Sequence, residues 1–159
     1  MYVYGTLKDV KIYMGENGEL FKAFNIKDGC GIKDILPRYG IQPVIITARE
    51  SKILENRCRE LEITELYQGV KNKLHKLDEV INSYSIEYGE NLTYKNVAYI
   101  GDDISDMQCM DVIKSAGGIV GCPFNAVKEV KEAADYISSQ NGGEGSVREF
   151  IDWLVQMEQ

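Results

Sequence analysis

The chain has few of the histidine and cysteine residues from which many catalytic and metal sites are built. Its 159 residues contain one histidine, His75, which excludes metal sites built from several histidines and any histidine triad that does not use it. The four cysteines include no C-x-x-C pair, so the sequence indicates neither a zinc site nor a redox dithiol, and we expect reduced thiols. Acid–base chemistry therefore has to come from carboxylates or lysines.

Positive charge and long apolar runs are scarce as well. The 18 Lys and Arg against 25 Asp and Glu give a net charge of -7, which offers no general attraction to nucleic acid or an anionic membrane. No apolar run approaches the roughly 18 residues of a membrane helix, and the start resembles no signal peptide. We therefore expect one cytoplasmic domain over residues 1–159, with no nucleic-acid or membrane partner.

Apolar runs typical of buried parallel strands alternate with segments of helical spacing. The strand-like runs lie at 44–46, 97–100 and 118–121, and the helical segments centre on Leu54, Leu77 and Met110, with a closing helix at 147–157. This alternation indicates βαβ units. It predicts an α/β fold with a doubly wound, Rossmann-like parallel sheet that is covered on both faces.

A second pattern precedes these units. Two alternating runs, at 11–14 and 20–24, flank the turn sequence Gly-Glu-Asn-Gly at 15–18, which predicts a β-hairpin insertion over residues 11–24. Its apolar side chains are more than a two-stranded ribbon can shield by itself. We expect the hairpin to pack against a partner subunit; the alternative is that it folds over its own domain.

Polar residues follow three of the predicted strands, where a doubly wound sheet binds its ligands. Thr47 follows the first run, where a hydroxyl suits either a phosphate oxygen or a helix cap. The cluster of Asp102, Asp103 and Asp106 follows the second run and offers the hard oxygen ligands of Mg²⁺, although capping a helix is the alternative. Taken alone, Lys73 would be an ordinary surface lysine.

Thr47, Lys73 and Asp102, in this order on successive strand ends, resemble motifs two, three and four of the haloacid dehalogenase-like (HAD) superfamily. The stretches GENGELFKAFNIKDGCGI, IITARES, YQGVKNK, VAYIGDDISD and GGEGSVREF are similar to one branch of it. That branch holds the capless phosphatases that act on 3-deoxy-D-manno-octulosonate 8-phosphate and related nine-carbon sugar acids. The resemblance runs over essentially the whole chain and implies a HAD-type fold.

The resemblance implies a Mg²⁺-dependent phosphomonoesterase. In this family a nucleophilic Asp forms an aspartyl-phosphate, and a second Asp, two residues later, acts as general acid and base. By the same resemblance Thr47 and Lys73 bind the phosphoryl oxygens. The resemblance also implies that Asp102 would hold the metal ion, with Asp103 and Asp106 beside it.

The family also implies an assembly and a substrate class. The hairpin would build a homotetramer, and the glycine-rich C-terminal tail, 141–159, would approach a neighbouring active site. Arg148 of the tail would then bind a substrate carboxylate, to which its planar guanidinium is suited; a salt bridge within its own helix is the alternative. Arg49 occupies a position that is typically Arg in the octulosonate branch, which favours the eight-carbon acid.

The first motif departs from the family. A gapless alignment puts Tyr2 and Tyr4 where the family has its nucleophile and acid/base Asp, and a phenol with a pKa near 10 is a poor substitute for either. We therefore expect impaired turnover. The alternative function is a non-catalytic oligomerisation or binding domain, of the kind attached to CMP-acylneuraminate synthetases. Family members have about five or six apolar residues before the first Asp, in a central strand, whereas only Met1 precedes Tyr2 here. The alternatives are a fragment or shortened product with an incomplete central strand, a stub from Met1 to Tyr4 that suffices, and a native start that differs from this one.

Overall fold

The computed structural model describes residues 2–4, 7–9 and 11–157, with the side chains of residues 2–4 outside the description. The strands are β1 Tyr2–Tyr4, β2 Tyr13–Gly15, β3 Gly18–Phe21, β4 Gln42–Ile46, β5 Glu65–Tyr67, β6 Val97–Ile100, β7 Ile119–Cys122 and β8 Tyr136–Ile137. Six of them form a parallel sheet in the order β5-β4-β1-β6-β7-β8, and β2 pairs with β3 in an antiparallel hairpin. The predicted doubly wound α/β fold is confirmed.

Helices cover both faces of the sheet. They are α1 Ile26–Cys30, α2 Lys52–Glu60, α3 Lys73–Tyr88, α4 Met107–Ser115, α5 Lys128–Ala133 and α6 Ser146–Met157. Alternate residues of a strand point to opposite faces, so Tyr99 packs with α3, α4 and α5 while Ile100 packs with α2 and α6. In the described part of the chain no helix combines the length and apolar character needed to cross a membrane.

The shortest of the central strands, β1, lies between β4 and β6 in the middle of the sheet. In β1, Tyr2 lies opposite Gln42 of β4 and Val97 of β6, and Tyr4 lies opposite Tyr99. The strand thus supplies backbone partners to both neighbours, which would otherwise present unpaired polar groups to the interior. Leu7, just beyond it, is buried in the core beside α2 and α6.

The hairpin contacts its own domain and still exposes apolar side chains. Glu19 on β3 accepts a hydrogen bond of 2.7 Å from the hydroxyl of Ser51, which itself caps the start of α2. Met14, Leu20 and Phe21 remain 60%, 63% and 51% exposed. Part of the alternative expectation therefore holds, because the ribbon lies on its own domain, while packing against a partner subunit stays a prediction.

A buried hydrogen bond holds the C-terminal tail in place. The buried carboxylate of Asp28 accepts a 2.8 Å hydrogen bond from the backbone N–H of Arg148 at the start of α6, although burial raises the pKa of Asp28.

All four cysteines are free, as the sequence predicts. Burial raises the pKa values of Cys58, Cys109 and Cys122 to about 11, which keeps these thiols protonated at neutral pH.

Candidate functional site

A cavity of about 320 Å³ opens at the carboxyl edge of the sheet, where β4 and β6 end. Parallel strands bring their following loops to the same edge, which is why residues far apart in sequence meet here. Six residues singled out from the sequence line this cavity: Thr47, Arg49, Lys73, Asp102, Asp103 and Asp106.

Asp106 is the partner of Lys73 at the floor of the cavity. Its Oδ1 lies 2.8 Å from the Lys73 ammonium and accepts a 2.7 Å hydrogen bond from the hydroxyl of Tyr99. Its Oδ2 accepts from the backbone N–H groups of Asp102 and Asp103, at 3.0 and 3.3 Å. Burial opposes ionisation, but the charge and hydrogen bond of Lys73, together with the hydrogen bonds from Tyr99 and the backbone of Asp102, hold the pKa of Asp106 below its usual range.

The two aspartates before it differ from Asp106 in their surroundings. The carboxylate of Asp103 is exposed and accepts a 2.8 Å hydrogen bond from the backbone N–H of Ile104, which caps the short turn leading into α4. Asp102 lies partly buried, and burial, followed by the negative charge of Asp106, raises the pKa of Asp102 to about 6. Gly101 has to be glycine, because a Cβ there would lie 2.6 Å from the Asp106 Cβ.

Thr47 and Arg49 belong to a loop that is tied to the neighbouring strand end. The backbone N–H of Thr47 donates to the carbonyl of Tyr67 at 2.9 Å, and the Thr47 carbonyl accepts from the N–H of Val70 at 3.0 Å. The Thr47 hydroxyl accepts a 3.3 Å hydrogen bond from the N–H of Arg49. These bonds hold the hydroxyl at the cavity wall, from which its own O–H can donate to a ligand.

The two tyrosines that stand for motif one lie in the strand itself. The register puts Tyr2 level with the first residue of β6 and Tyr4 level with the third, while Asp102 comes two residues after that strand ends. The segment that lines the cavity beyond β1 is 7–9, Leu-Lys-Asp. That Tyr2 and Tyr4 hold the family's nucleophile and acid/base positions stays a prediction from the alignment.

Lys8 and Asp9 line the cavity without having been singled out from the sequence. Both are half-buried. Asp9 accepts a 2.7 Å hydrogen bond from the Tyr13 hydroxyl through Oδ2, while its buried Oδ1 has no hydrogen-bond partner among the described residues. The signal for these residues was their position directly after a strand of the sheet, the same criterion that selected Thr47 and Asp102.

Arg148 lies outside the cavity lining. Its Nε is 2.9 and 3.0 Å from the two carboxylate oxygens of Asp152, four residues later on α6. This is the salt bridge that the sequence offered as the alternative reading of Arg148. Its approach to the site of a neighbouring subunit stays a prediction, since it would require an assembled oligomer.

The described residues do not fit a metal site made of three carboxylates. Among them, no group of three or more His, Cys, Asp or Glu side chains is arranged to hold a metal ion. The reason is visible in the contacts: Asp106 gives both oxygens to Lys73, Tyr99 and backbone N–H groups, and Asp103 caps a turn. Within this cluster, Asp102 is the carboxylate left facing the cavity.

Comparison with known proteins identifies the family. No protein-family model matches the chain. The 3-deoxy-D-manno-octulosonate 8-phosphate phosphatase of Escherichia coli K12 is 40% identical over 151 residues, which cover 95% of this chain and 74% of that protein. The solved structure of a HAD superfamily hydrolase from Legionella pneumophila is 30% identical with a TM-score of 0.84, covering 98% of this chain and 81% of that one.

A third relative was solved with ligands. The 3-deoxy-D-manno-octulosonate 8-phosphate phosphatase from Moraxella catarrhalis, in complex with a magnesium ion, a phosphate ion and a KDO molecule, has a TM-score of 0.80 at 28% identity. The match covers 99% of this chain and 92% of that one. On sequence and fold together, the chain belongs to the 3-deoxy-D-manno-octulosonate 8-phosphate phosphatase family of the HAD superfamily.

Proposed function

We propose that the chain binds the phosphomonoester of a 3-deoxy sugar acid, of the octulosonate 8-phosphate type, in the carboxyl-edge cavity. The observation that carries this is the convergence of Thr47, Arg49 and Lys73 on one cavity of about 320 Å³, large enough for a small ligand. Relatives named for this substrate support the choice of ligand.

Each of these side chains has a role that its chemistry supports. Lys73 carries a point charge that Asp106 holds at 2.8 Å, so it presents donors to a phosphoryl oxygen without losing much conformational freedom on binding. The Thr47 hydroxyl donates to a second oxygen. The planar fork of Arg49 matches the geometry of a carboxylate, which is the group that distinguishes a sugar acid from a neutral sugar phosphate.

Hydrolysis of the bound phosphoester is the family's reaction, and we propose that it is impaired in this chain. Formation of a covalent phospho-enzyme needs a carboxylate nucleophile, and Tyr2 and Tyr4 replace the two motif-one aspartates in the alignment. Losing a nucleophile removes most of the rate while leaving ligand binding in place. We therefore expect this protein to bind the phosphoester but to hydrolyse it slowly.

A magnesium ion is the cofactor that we propose for this site. The magnesium-bound Moraxella relative favours it, and Asp102 is the residue that would hold it here. Mg²⁺ commonly uses one or two protein carboxylates and takes its other ligands from water and substrate phosphate. Asp103 caps a turn and Asp106 pairs with Lys73, so the proposed binding of the phosphomonoester relies on Thr47, Arg49 and Lys73 and not on the ion.

The proposed activity is tested by release of inorganic phosphate from 3-deoxy-D-manno-octulosonate 8-phosphate in the presence of Mg²⁺. The unmodified chain is compared with a double variant, Tyr2→Asp with Tyr4→Asp. We expect phosphate release from the double variant and little from the unmodified chain, and loss of release when Lys73→Gln is added. Full activity in the unmodified chain would disprove the assignment of Tyr2 and Tyr4.

An oligomerisation or binding module without catalysis is the alternative function. The exposed apolar side chains of the hairpin favour it, because they provide a surface for assembly whether or not the cavity is active. We propose a homotetramer formed through the hairpin under either function. Failure of the double variant to release phosphate, combined with an intact oligomer, would favour this alternative. The setting that we propose is the cytoplasm, which suits four free cysteines.

A further inference from the structure

Lys8 lies in the wall of the cavity, on a stretch of backbone that is held from two sides. It forms an antiparallel bridge with Phe24 at the end of the hairpin. On the other side the tail approaches so closely that a Cβ on Gly143 would lie 2.2 Å from the backbone nitrogen of Asp9. The half-buried Lys8 side chain is therefore anchored at its base next to Thr47, Arg49 and Asp102.

The charges around Lys8 are more positive than negative. Burial lowers the pKa of Lys8, and among its charged neighbours the cations Lys22 and Arg49 have larger effects than the anions Glu19 and Asp102. Glu19 is already paired with Lys22. Among the described residues Lys8 takes part in no ion pair, so a half-buried ammonium faces the cavity without a counter-ion of its own.

An ammonium in this position favours an anionic ligand. A half-buried cation loses part of its hydration, and an anion that enters the same cavity restores the lost interaction. The lining holds the cations Lys8, Arg49 and Lys73 together with four aspartates. Asp106 pairs with Lys73, Asp9 accepts from the Tyr13 hydroxyl, and Asp103 accepts from the N–H of Ile104, so none of these three forms an ion pair with Lys8. The three donors of an ammonium allow Lys8 to serve Asp102 and a phosphate oxygen together.

We propose that the Lys8 ammonium supplies the positive charge for the ligand's phosphate, so that this chain binds a phosphomonoester without a divalent metal ion. The inference rests on the proposed function and deepens it, because it assigns to a side chain the charge that a metal would bring. It follows from the contacts described above, in which Asp106 is the partner of Lys73 and Asp103 caps a turn, so that Asp102 alone of this cluster is left for a metal ion.

The test measures binding in the absence and presence of metal. Calorimetric titration of the full chain with inorganic phosphate and with 3-deoxy-D-manno-octulosonate 8-phosphate is carried out in EDTA and again in Mg²⁺. We expect Kd values within about threefold of each other under the two conditions. In EDTA, Lys8→Gln should weaken binding about tenfold or more, because a charge-assisted hydrogen bond to phosphate is lost.

Two further variants make the result specific. Lys8→Arg keeps the charge and should retain most of the affinity, which separates a charge effect from a folding effect. Lys95→Gln removes an exposed lysine at the other end of β6 and should leave Kd unchanged. Thermal melts of each variant check that it is folded.

Three outcomes would overturn the inference. Binding that requires Mg²⁺ would keep the proposed function and assign the charge to a metal instead. Equal affinity of Lys8→Gln and the unmodified chain in EDTA would keep metal-free binding but remove Lys8 from it. Absence of binding under both conditions would reject the proposed function together with the inference.

Discussion

The Lys73 ammonium lies 2.8 Å from Oδ1 of Asp106, and both side chains are largely withdrawn from water, with exposures of 14% and 3%. A buried pair of this kind is retained only where further hydrogen bonds compensate for lost hydration. Here Tyr99 and two backbone N–H groups supply them. The pair ties the start of α3 to the turn after β6, and so fixes the floor of the cavity.

Removing the negative partner should therefore destabilise the protein. We expect Asp106→Asn to lower the free energy of unfolding by about 3–5 kcal/mol, because it removes the carboxylate charge that faces the largely buried Lys73 ammonium. Urea denaturation followed by circular dichroism measures the change. The matched control is Asp111→Asn at an exposed position on α4, which should change stability by about 0.5 kcal/mol or less. Equal stability of the two variants would contradict the structural role of Asp106.

Asp102 should behave in the opposite way. Its pKa of about 6 in the folded chain lies above the ordinary value, so its ionised form destabilises the fold at high pH. In EDTA, Asp102→Asn should raise the free energy of unfolding by about 1–3 kcal/mol at pH 8. The gain should shrink as the pH falls below 6 and vanish below about pH 3, where the carboxyl is protonated in both the folded and the unfolded state. A gain that is independent of pH would show that the charge of Asp102 is not its cause.

The apolar pattern of the sequence predicts three of the four inner strands of the sheet and misses β1. The runs in β4, β6 and β7 are apolar because both faces of these strands are buried, and that pattern can be read without a structure. The edge strands β5 and β8 are different, since they have three and two residues and a partly solvated environment. Such short strands depend on tertiary pairing and have no periodicity of their own.

The candidate site, too, is predicted from the sequence only in part. Its location follows from the rule about strand ends, and Thr47, Lys73 and Asp102 all reach the predicted edge. The role of Asp106 does not follow, because its main partner, Lys73, lies 33 residues away and the contact depends on how α3 packs beside β6. Lys8 is similar, since its position depends on the register of β1 and on the fit of the tail against Asp9.

The contact between the tail and the cavity wall can be tested at Gly143. This residue has φ of +77°, and a Cβ would meet the backbone of Asp9 at 2.2 Å, so Gly143→Ala adds a clash to a strained conformation. Gly89→Ala is the control, because its φ is +65° but an added Cβ there would meet no heavy atom of the described residues within 4 Å, apart from its chain neighbours. We expect a loss of about 1–2 kcal/mol for the control and at least about twice that for Gly143→Ala.

A functional measurement accompanies this comparison. Movement of the backbone at Asp9 also moves Lys8, so Gly143→Ala should weaken phosphate binding while Gly89→Ala should not. If calorimetry gives the same Kd for both variants, the tail has no part in shaping the cavity.

The hairpin provides the test of assembly. Leu20 and Phe21 are 63% and 51% exposed, and a charge in this apolar surface would have to be buried if a partner subunit covered it. We expect the unmodified chain to sediment as a tetramer and Leu20→Glu to sediment as a smaller species. Stability of the separated subunit should change little, because Leu20 is exposed within it.

The control for this prediction is Ile86→Glu on α3, at a position that is 84% exposed and outside the hairpin. It introduces the same charge and should leave the sedimentation coefficient unchanged. A smaller species from Ile86→Glu but not from Leu20→Glu would move the interface to the outer face of α3. A monomeric unmodified chain would mean that the apolar hairpin surface is not covered by a copy of this protein.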